Sequence, residues 1–435
     1  MIAGTSKIDI TPSGPVWMDG MIRDRRSEGI HDPIFARALV ISPDYRMEHA
    51  CAFVSVEVCG IRGDDAGEAR RSASMATGIP VTNIIIAATH THSGPATIGF
   101  FNPQEHEYLA LLLGKIVSAI VKAVEAARPV LFGCVSGRED TISHYRRLLA
   151  RDGHVVMNWE PYPPEKIAGP LGEIDPEVGT LQFVETADPG RYVGILYNHA
   201  GHPNVMSGDN YLISGDYPGL ASRLLEEEYG CVALFMNGAE GTMDIDGLRD
   251  RDWEGVGRTG KALAEAVSET VRRTAVKSEP VLSSGHTRYT LSARKITADE
   301  LKWSHDVLIG TGGVVKALAD GVGDDYKALL FERLHARESI SIEVEQTCCA
   351  FGDSSLISFP GELFTEIGMS IKSRSPFKRT WILGLANGEI GYAPTVKAIG
   401  EGGYAVETRE VGDEAGEIVL NNSLSLLGEV YRKTR

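Results

Sequence analysis

The sequence predicts an α/β fold, mixed sheets flanked by helices, in a single catalytic unit over residues 1–435. Three observations predict it. Short apolar, β-branched runs alternate with helically spaced apolar residues through most of the chain. No long linker, internal repeat or low-complexity tract interrupts that alternation. Hydrophobic residues make up 43% and charged residues 23%, values of an ordinary globular protein that exclude a disordered, coiled-coil or collagenous chain.

In chain order, strands are expected at 51–58, 83–88, 192–197, 231–236 and 381–385. Between the second and third lies the clearest helix, where Leu109, Leu112, Leu113, Ile116, Val117, Ile120, Val121 and Val124 recur at helical spacing before Pro129. Further helices are expected at 218–228, 253–273, 298–318 and 361–372. The Pro-rich segment 160–170 and the Gly-rich segment 310–323 read as loops.

Lys and Arg number 43 against 59 Asp and Glu, a formal net charge of −16. That field repels nucleic acid and anionic membrane surfaces. No apolar run approaches the roughly 18 residues of a membrane span, so no stable membrane insertion is expected. The first residues lack a charged stretch followed by an apolar one, and a cytoplasmic location is the expectation. Cys51, Cys59, Cys134, Cys231, Cys348 and Cys349 form no CxxC pair and are expected as reduced thiols.

Two histidine groups follow predicted strands. Thr89-His90-Thr91-His92-Ser93-Gly94-Pro95 comes first. In an extended H-x-H, alternate side chains point the same way, so His90 and His92 can converge on one centre. The alternative is a pair of hydrogen-bonded loop histidines. The second group holds His199 and His202, where Gly201 and Pro203 argue against a joining helix, so that one of the two reaches a shared site. Imidazoles with a carboxylate suit a zinc that keeps a position open. Carboxylates beside glycines and strand ends are Asp216, which could simply cap a helix, Asp244 after the strand at 231–236, and Glu362, which could be a first-turn helix acid.

These fragments, in this order, resemble the catalytic domain of the neutral/alkaline, non-lysosomal ceramidases. The resemblance is carried by Ile8-Asp-Ile-Thr-Pro12, Gly29-Ile-His-Asp-Pro33 with Ala36-Arg-Ala38, Thr89-His-Thr-His-Ser-Gly-Pro95, His202-Pro203, Ser214-Gly-Asp216, Pro360-Gly-Glu362 and Gly391-Tyr392. It runs from about Ile8 to Tyr404, nearly the whole chain. It implies one zinc held by His90, His202, Glu362 and Tyr392. It also implies His92 as the catalytic-site histidine, Arg146 at the scissile amide and Tyr404 as a second active-site tyrosine.

Two departures shape the expected function. Where the family carries a G-D-x-S-P type segment, this chain reads Gly241-Thr-Met-Asp-Ile245, with Asp244 at about the serine's place. The sequence also stops soon after the catalytic-domain match, leaving no room for a C-terminal immunoglobulin-like domain. The expectation is therefore a zinc-dependent hydrolase of an amide C–N bond in a soluble small molecule, with Asp216 and Asp244 as base or supporting carboxylates. The alternatives are a true ceramidase acting on N-acylsphingosine, an ester or lactone hydrolase, and an isomerase or lyase on the same centre. The oligomeric state is left open, a homo-oligomer included.

Overall fold

The computed structural model describes all residues except 246–250, 278–281 and 338. Eight strands form the larger sheet, in the order Val232–Asn237, Tyr192–His199, Glu177–Glu185, Arg128–Arg138, Ile2–Asp9, Phe35–Ser42, Cys51–Val56 and Ile84–Ala88. Its two outermost pairs run parallel and the rest antiparallel. A second sheet is ordered Leu282–Ser292, Ser341–Phe351, Ser354–Ser358 and Arg379–Leu383, the last pair parallel.

The sheets pack face to face through Phe53, Phe132, Phe183, Leu196 and Leu234 of one against Cys349, Phe351, Leu356, Trp381 and Leu383 of the other. Helices cover both outer faces. Gly63–Thr77 and His106–Glu125 pack on one half of the large sheet, and Asp216–Tyr229 and Trp253–Arg273 on the other. Thr365–Arg374 and Ala415–Lys433 cover the second sheet. The strands sandwiched between these layers are buried on both faces, which is why they read as continuous apolar runs rather than alternating ones.

The expected architecture of mixed sheets flanked by helices is the one observed, with two differences in detail. The helix expected at 298–318 ends at Thr311, where Gly312 and Gly313 both take positive φ and close it. The helix expected at 361–372 begins only at Thr365. Glu362 and Leu363 are instead a short strand parallel to Tyr392–Ala393, so Glu362 is not a first-turn helix acid. No described helix is long and apolar enough to cross a membrane.

Candidate metal centre

Both sheets deliver their chemistry at the C-terminal ends of parallel strands, where an open α/β sheet leaves room for a ligand. His90 and His92 follow Ile84–Ala88, and His202 follows Tyr192–His199. Glu362 comes from the loop after Ser354–Ser358.

His90 does not continue the strand: its φ is 74°, in the left-handed region. The extended H-x-H geometry expected from alternation is therefore absent. The two rings converge all the same, because the chain turns at His90. Its Nδ1 donates to the carbonyl of Cys59 at 2.7 Å, which fixes the tautomer and leaves a lone pair on Nε2. That Nε2 lies 3.2 Å from His202 Nε2 and 3.3 Å from His92 Nε2. Glu362 Oε2 completes the cluster, 3.3 Å from His202 Nε2 and 3.7 Å from His90 Nε2. The backbone bond from Glu362 N to Gly391 O, at 3.0 Å, sets Glu362 directly beside Tyr392.

Burial pushes the His90 imidazole down to about 4 and His92 well below its ordinary value, so both are neutral. Burial alone would raise Glu362, but positive charge around it, the Arg146 guanidinium included, outweighs burial and keeps the group a carboxylate. Neutral imidazoles and a carboxylate are the forms a transition metal takes. Glu362 Oε2 has no hydrogen-bond donor although it is buried. A buried carboxylate oxygen facing two lone-pair nitrogens is costly unless a cation sits between them. The residues present therefore fit a divalent metal. A second group, Cys59 with His90 and His92, also lies within ligand distance. Its thiol approaches the Nδ1 side of His90, which the Cys59 carbonyl already engages.

Arg146 reaches the cluster from beside Ser143–Tyr145. Its Nη1 is 3.3 Å from His202 Nε2, and its Nη2 donates to Gly241 O at 2.7 Å. Its guanidinium lies 5.0 Å from the Tyr392 ring centre, and the Tyr392 and Tyr404 rings meet edge to face at 5.9 Å. Burial raises both phenols, so both keep their protons.

Two connected lobes open from this centre. The larger is walled by Phe100, Phe101, Tyr326 and Leu330. The smaller is walled by Arg146, Trp159, Asn204 and Val322. His92, Tyr392 and Tyr404 border both.

The structure thus brings His90, His92, Arg146, His202, Glu362, Tyr392 and Tyr404 to one place. It does not bring Asp216 or Asp244 there. Asp216 is the first helical residue and not the cap, which is Gly215. Its carboxylate accepts from the Tyr217 amide at 2.6 Å and faces the loop that carries His202, near the amides of Val205 and Met206. Asp244 sits on the short strand Met243–Ile245, accepts from Ile245 N at 2.8 Å and lines neither lobe. Sequence reasoning missed Gly20, Cys59 and Glu389, all of which line the larger lobe. It also missed Glu240, fully buried with both carboxylate oxygens unpartnered. Position 240 lies beside glycines after a strand, the one signal that marked it out.

Residues 2–238 match the neutral/alkaline non-lysosomal ceramidase family, N-terminal part. That stretch carries His90, His92, Arg146 and His202, whereas Glu362, Tyr392 and Tyr404 lie beyond it. The chain is 27% identical over 261 residues to a neutral ceramidase of Mycobacterium tuberculosis, an alignment covering 54% of this chain and 40% of that protein. It is 29% identical over 253 residues to a neutral ceramidase of Pseudomonas aeruginosa, covering 53% and 35% respectively. The matched part therefore spans well under half the length of these relatives. The crystal structure of neutral ceramidase from Pseudomonas aeruginosa superposes on 99% of this chain and 74% of its own, with a TM-score of 0.75 at 18% identity. That likeness extends the shared fold over the C-terminal half, where Glu362 and the tyrosines stand. The chain belongs to the neutral/alkaline non-lysosomal ceramidase family.

Proposed function

We propose that this protein is a zinc-dependent hydrolase that cleaves an amide C–N bond in a small molecule. The observation that carries the reading is the unpartnered Glu362 Oε2 facing the Nε2 atoms of His90 and His202. Those three residues, with Tyr392 beside Glu362, would hold the metal. When bound, such an ion supplies Lewis acidity, polarising a carbonyl oxygen and lowering the pKa of water to about 7.

The chain's own residues supply the rest. His92 is a neutral imidazole at the junction of the two lobes, placed to accept a proton from the attacking water and return it to the departing nitrogen. Arg146, a permanent cation held by Gly241 O, stands where negative charge develops on the carbonyl oxygen. One such donor is worth about 3 kcal/mol of transition-state stabilisation. The Tyr404 hydroxyl keeps its proton and can donate to the same oxygen. The two lobes, one on either side, would take the acyl and amine halves.

The curated relatives named above are neutral ceramidases, which makes N-acylsphingosine the second reading. In either reading the apolar wall of the larger lobe, Phe100, Phe101, Tyr326 and Leu330, would take the acyl part of the substrate.

The test is metal content per chain on wild type and His202→Ala, followed by hydrolysis of a panel of amides, esters, lactones and N-acylsphingosine. One zinc in wild type, absent from the variant, with amide cleavage lost in parallel, is the expected result. A wild type that binds no added zinc overturns the reading.

A further inference from the structure

The wall of the larger lobe is graded. On the helix Asp324–His335, Tyr326, Leu330 and Arg333 all line it, at positions i, i+4 and i+7 of one face. Tyr326 stacks on Phe101 with ring centres 5.2 Å apart, and Leu330 is almost fully buried. Arg333 lies about 10 Å further along the helix axis, seven residues at 1.5 Å each. The lobe therefore passes from aromatic through aliphatic to a positive charge.

Arg333 is the one Lys or Arg among the residues lining this lobe. Among the described residues, no carboxylate forms an ion pair with it. Its recorded contact is with the ring of Phe100, 6.0 Å from guanidinium carbon to ring centre. A second guanidinium, that of Arg62, stands 5.7 Å from the same ring and is held by its Nε donating to Ile98 O at 2.7 Å. Arg62 likewise has no ion pair among the described residues. In a chain of net charge −16, two arginines sharing one aromatic ring and no carboxylate form a local exception.

Among the acidic groups nearby, Asp65 feels the charge of Arg62, but no ion pair joins the two and burial raises the Asp65 carboxyl. Glu410 is paired with Arg337. Glu389 is buried, accepts from Gly391 N at 2.7 Å, and burial favours its neutral form. What the rim lacks is an anion, and a planar guanidinium fork matches a carboxylate. A phosphate dianion would bring a second negative charge close to Glu410, so a monoanion fits better.

We propose that Arg62 and Arg333, set around Phe100, form a carboxylate site at the outer end of the larger lobe, so that the substrate is an amide bearing a medium-length apolar arm that ends in a carboxylate. The identity of the substrate rests on the amide-hydrolase reading, whereas the carboxylate site stands without it. Phe101, Tyr326 and Leu330 would line the apolar arm and the arginines would set its length.

The test is calorimetric titration of the purified enzyme with suberamate, the half-amide of suberic acid, against octanamide, which has the same carbon chain and no charge. Wild type should bind suberamate about threefold to fivefold more tightly than octanamide, the upper end of the scale of one exposed charge pair. Arg333→Glu should abolish that preference and should favour the cationic analogue 8-aminooctanamide over suberamate instead. Arg333 is exposed on its helix, so the variant should keep the wild-type melting temperature. Equal affinities in wild type, or a preference that survives in both Arg333→Glu and Arg62→Glu, overturns the proposal. Binding is read without turnover, which separates the two claims. A protein that prefers suberamate yet cleaves no amide upholds the site and overturns the hydrolase. One that cleaves amides without the preference overturns the site alone.

Discussion

Gly20 lies flat against the imidazole of His92: a β-carbon on Gly20 would sit 2.3 Å from His92 Cγ. Its φ of +87° is one that L side chains rarely adopt, so both the backbone and the neighbour require glycine. The other supports of His92 are backbone bonds, its amide to Pro203 O at 3.0 Å and its carbonyl from Arg23 Nη2 at 2.8 Å. The ring itself is placed by packing. Gly20→Ala should displace it and lower kcat about a hundredfold, the usual result of misplacing a reacting group by about 1 Å. Metal content should stay at the wild-type level, and wild-type kcat in this variant would show that the ring is held by other means.

His90→Ala removes the nitrogen that lies within 3.7 Å of His92, His202 and Glu362 alike. The variant should lose the metal and the activity while keeping its far-ultraviolet circular dichroism. Stoichiometric zinc in this variant would take His90 out of the ligand set.

Asp216 should leave a signature in the pH dependence of stability. Burial raises its carboxyl from 3.8 to about 6. Below about pH 4 the group is protonated in folded and unfolded chains alike, and its full contribution is present. As pH rises to about 6 the unfolded chain ionises first, and roughly 3 kcal/mol is lost. Asp216→Asn carries no titrating proton, and asparagine tolerates the φ of 55° found there. Denaturant unfolding across that window should show a stability loss smaller in the variant by about 2–3 kcal/mol. Parallel pH profiles would refute this.

Arg37, almost fully buried, bridges Glu57 and Glu226, with its Nε 2.7 Å from Glu226 Oε1. Arg37→Met would strand the Glu57 carboxylate without a cation, at a cost of about 3–5 kcal/mol. Replacing both partners, Arg37→Met with Glu57→Gln, should recover part of that loss in urea unfolding. A single variant as stable as wild type would mean that water reaches Glu57.

At Gly179 the two sheets approach closely. A β-carbon there would lie 2.3 Å from the Trp381 indole, which donates to Glu177 Oε1 at 3.1 Å. Gly179→Ala should destabilise the fold by about 1–3 kcal/mol through overpacking, read as a lowered melting temperature. An unchanged melting temperature would mean that the sheets can separate locally at no cost.

Much of this protein was legible in its sequence, and the reasons are local. The helix His106–Glu125 showed itself because one face of it is apolar, and the strand Ile84–Ala88 because it is buried on both faces. Strands such as Leu282–Ser292 did not, since its half-buried residues mix polar and apolar types without clear alternation. The helix start at Glu362 was misread for a related reason. An acid after Pro-Gly suits a first helical turn, and only pairing with Tyr392, thirty residues on, makes it a strand.

The sequence by itself determined the alternation of strands and helices, the net charge of −16, and the histidines and glutamate able to hold a metal. These depend on residue type and on spacing within a few positions. Only the tertiary structure decided which of them meet. His90, His202 and Glu362 are far apart in the chain, and the turn at His90 that aims its ring carries no sequence mark. The same holds for Asp244, which stands at about the place of the family's serine but lines neither lobe, although its strand pairs with Ser143–Tyr145 just before Arg146. Sheet pairing and close packing bring distant strand ends together, and that is information no local pattern contains.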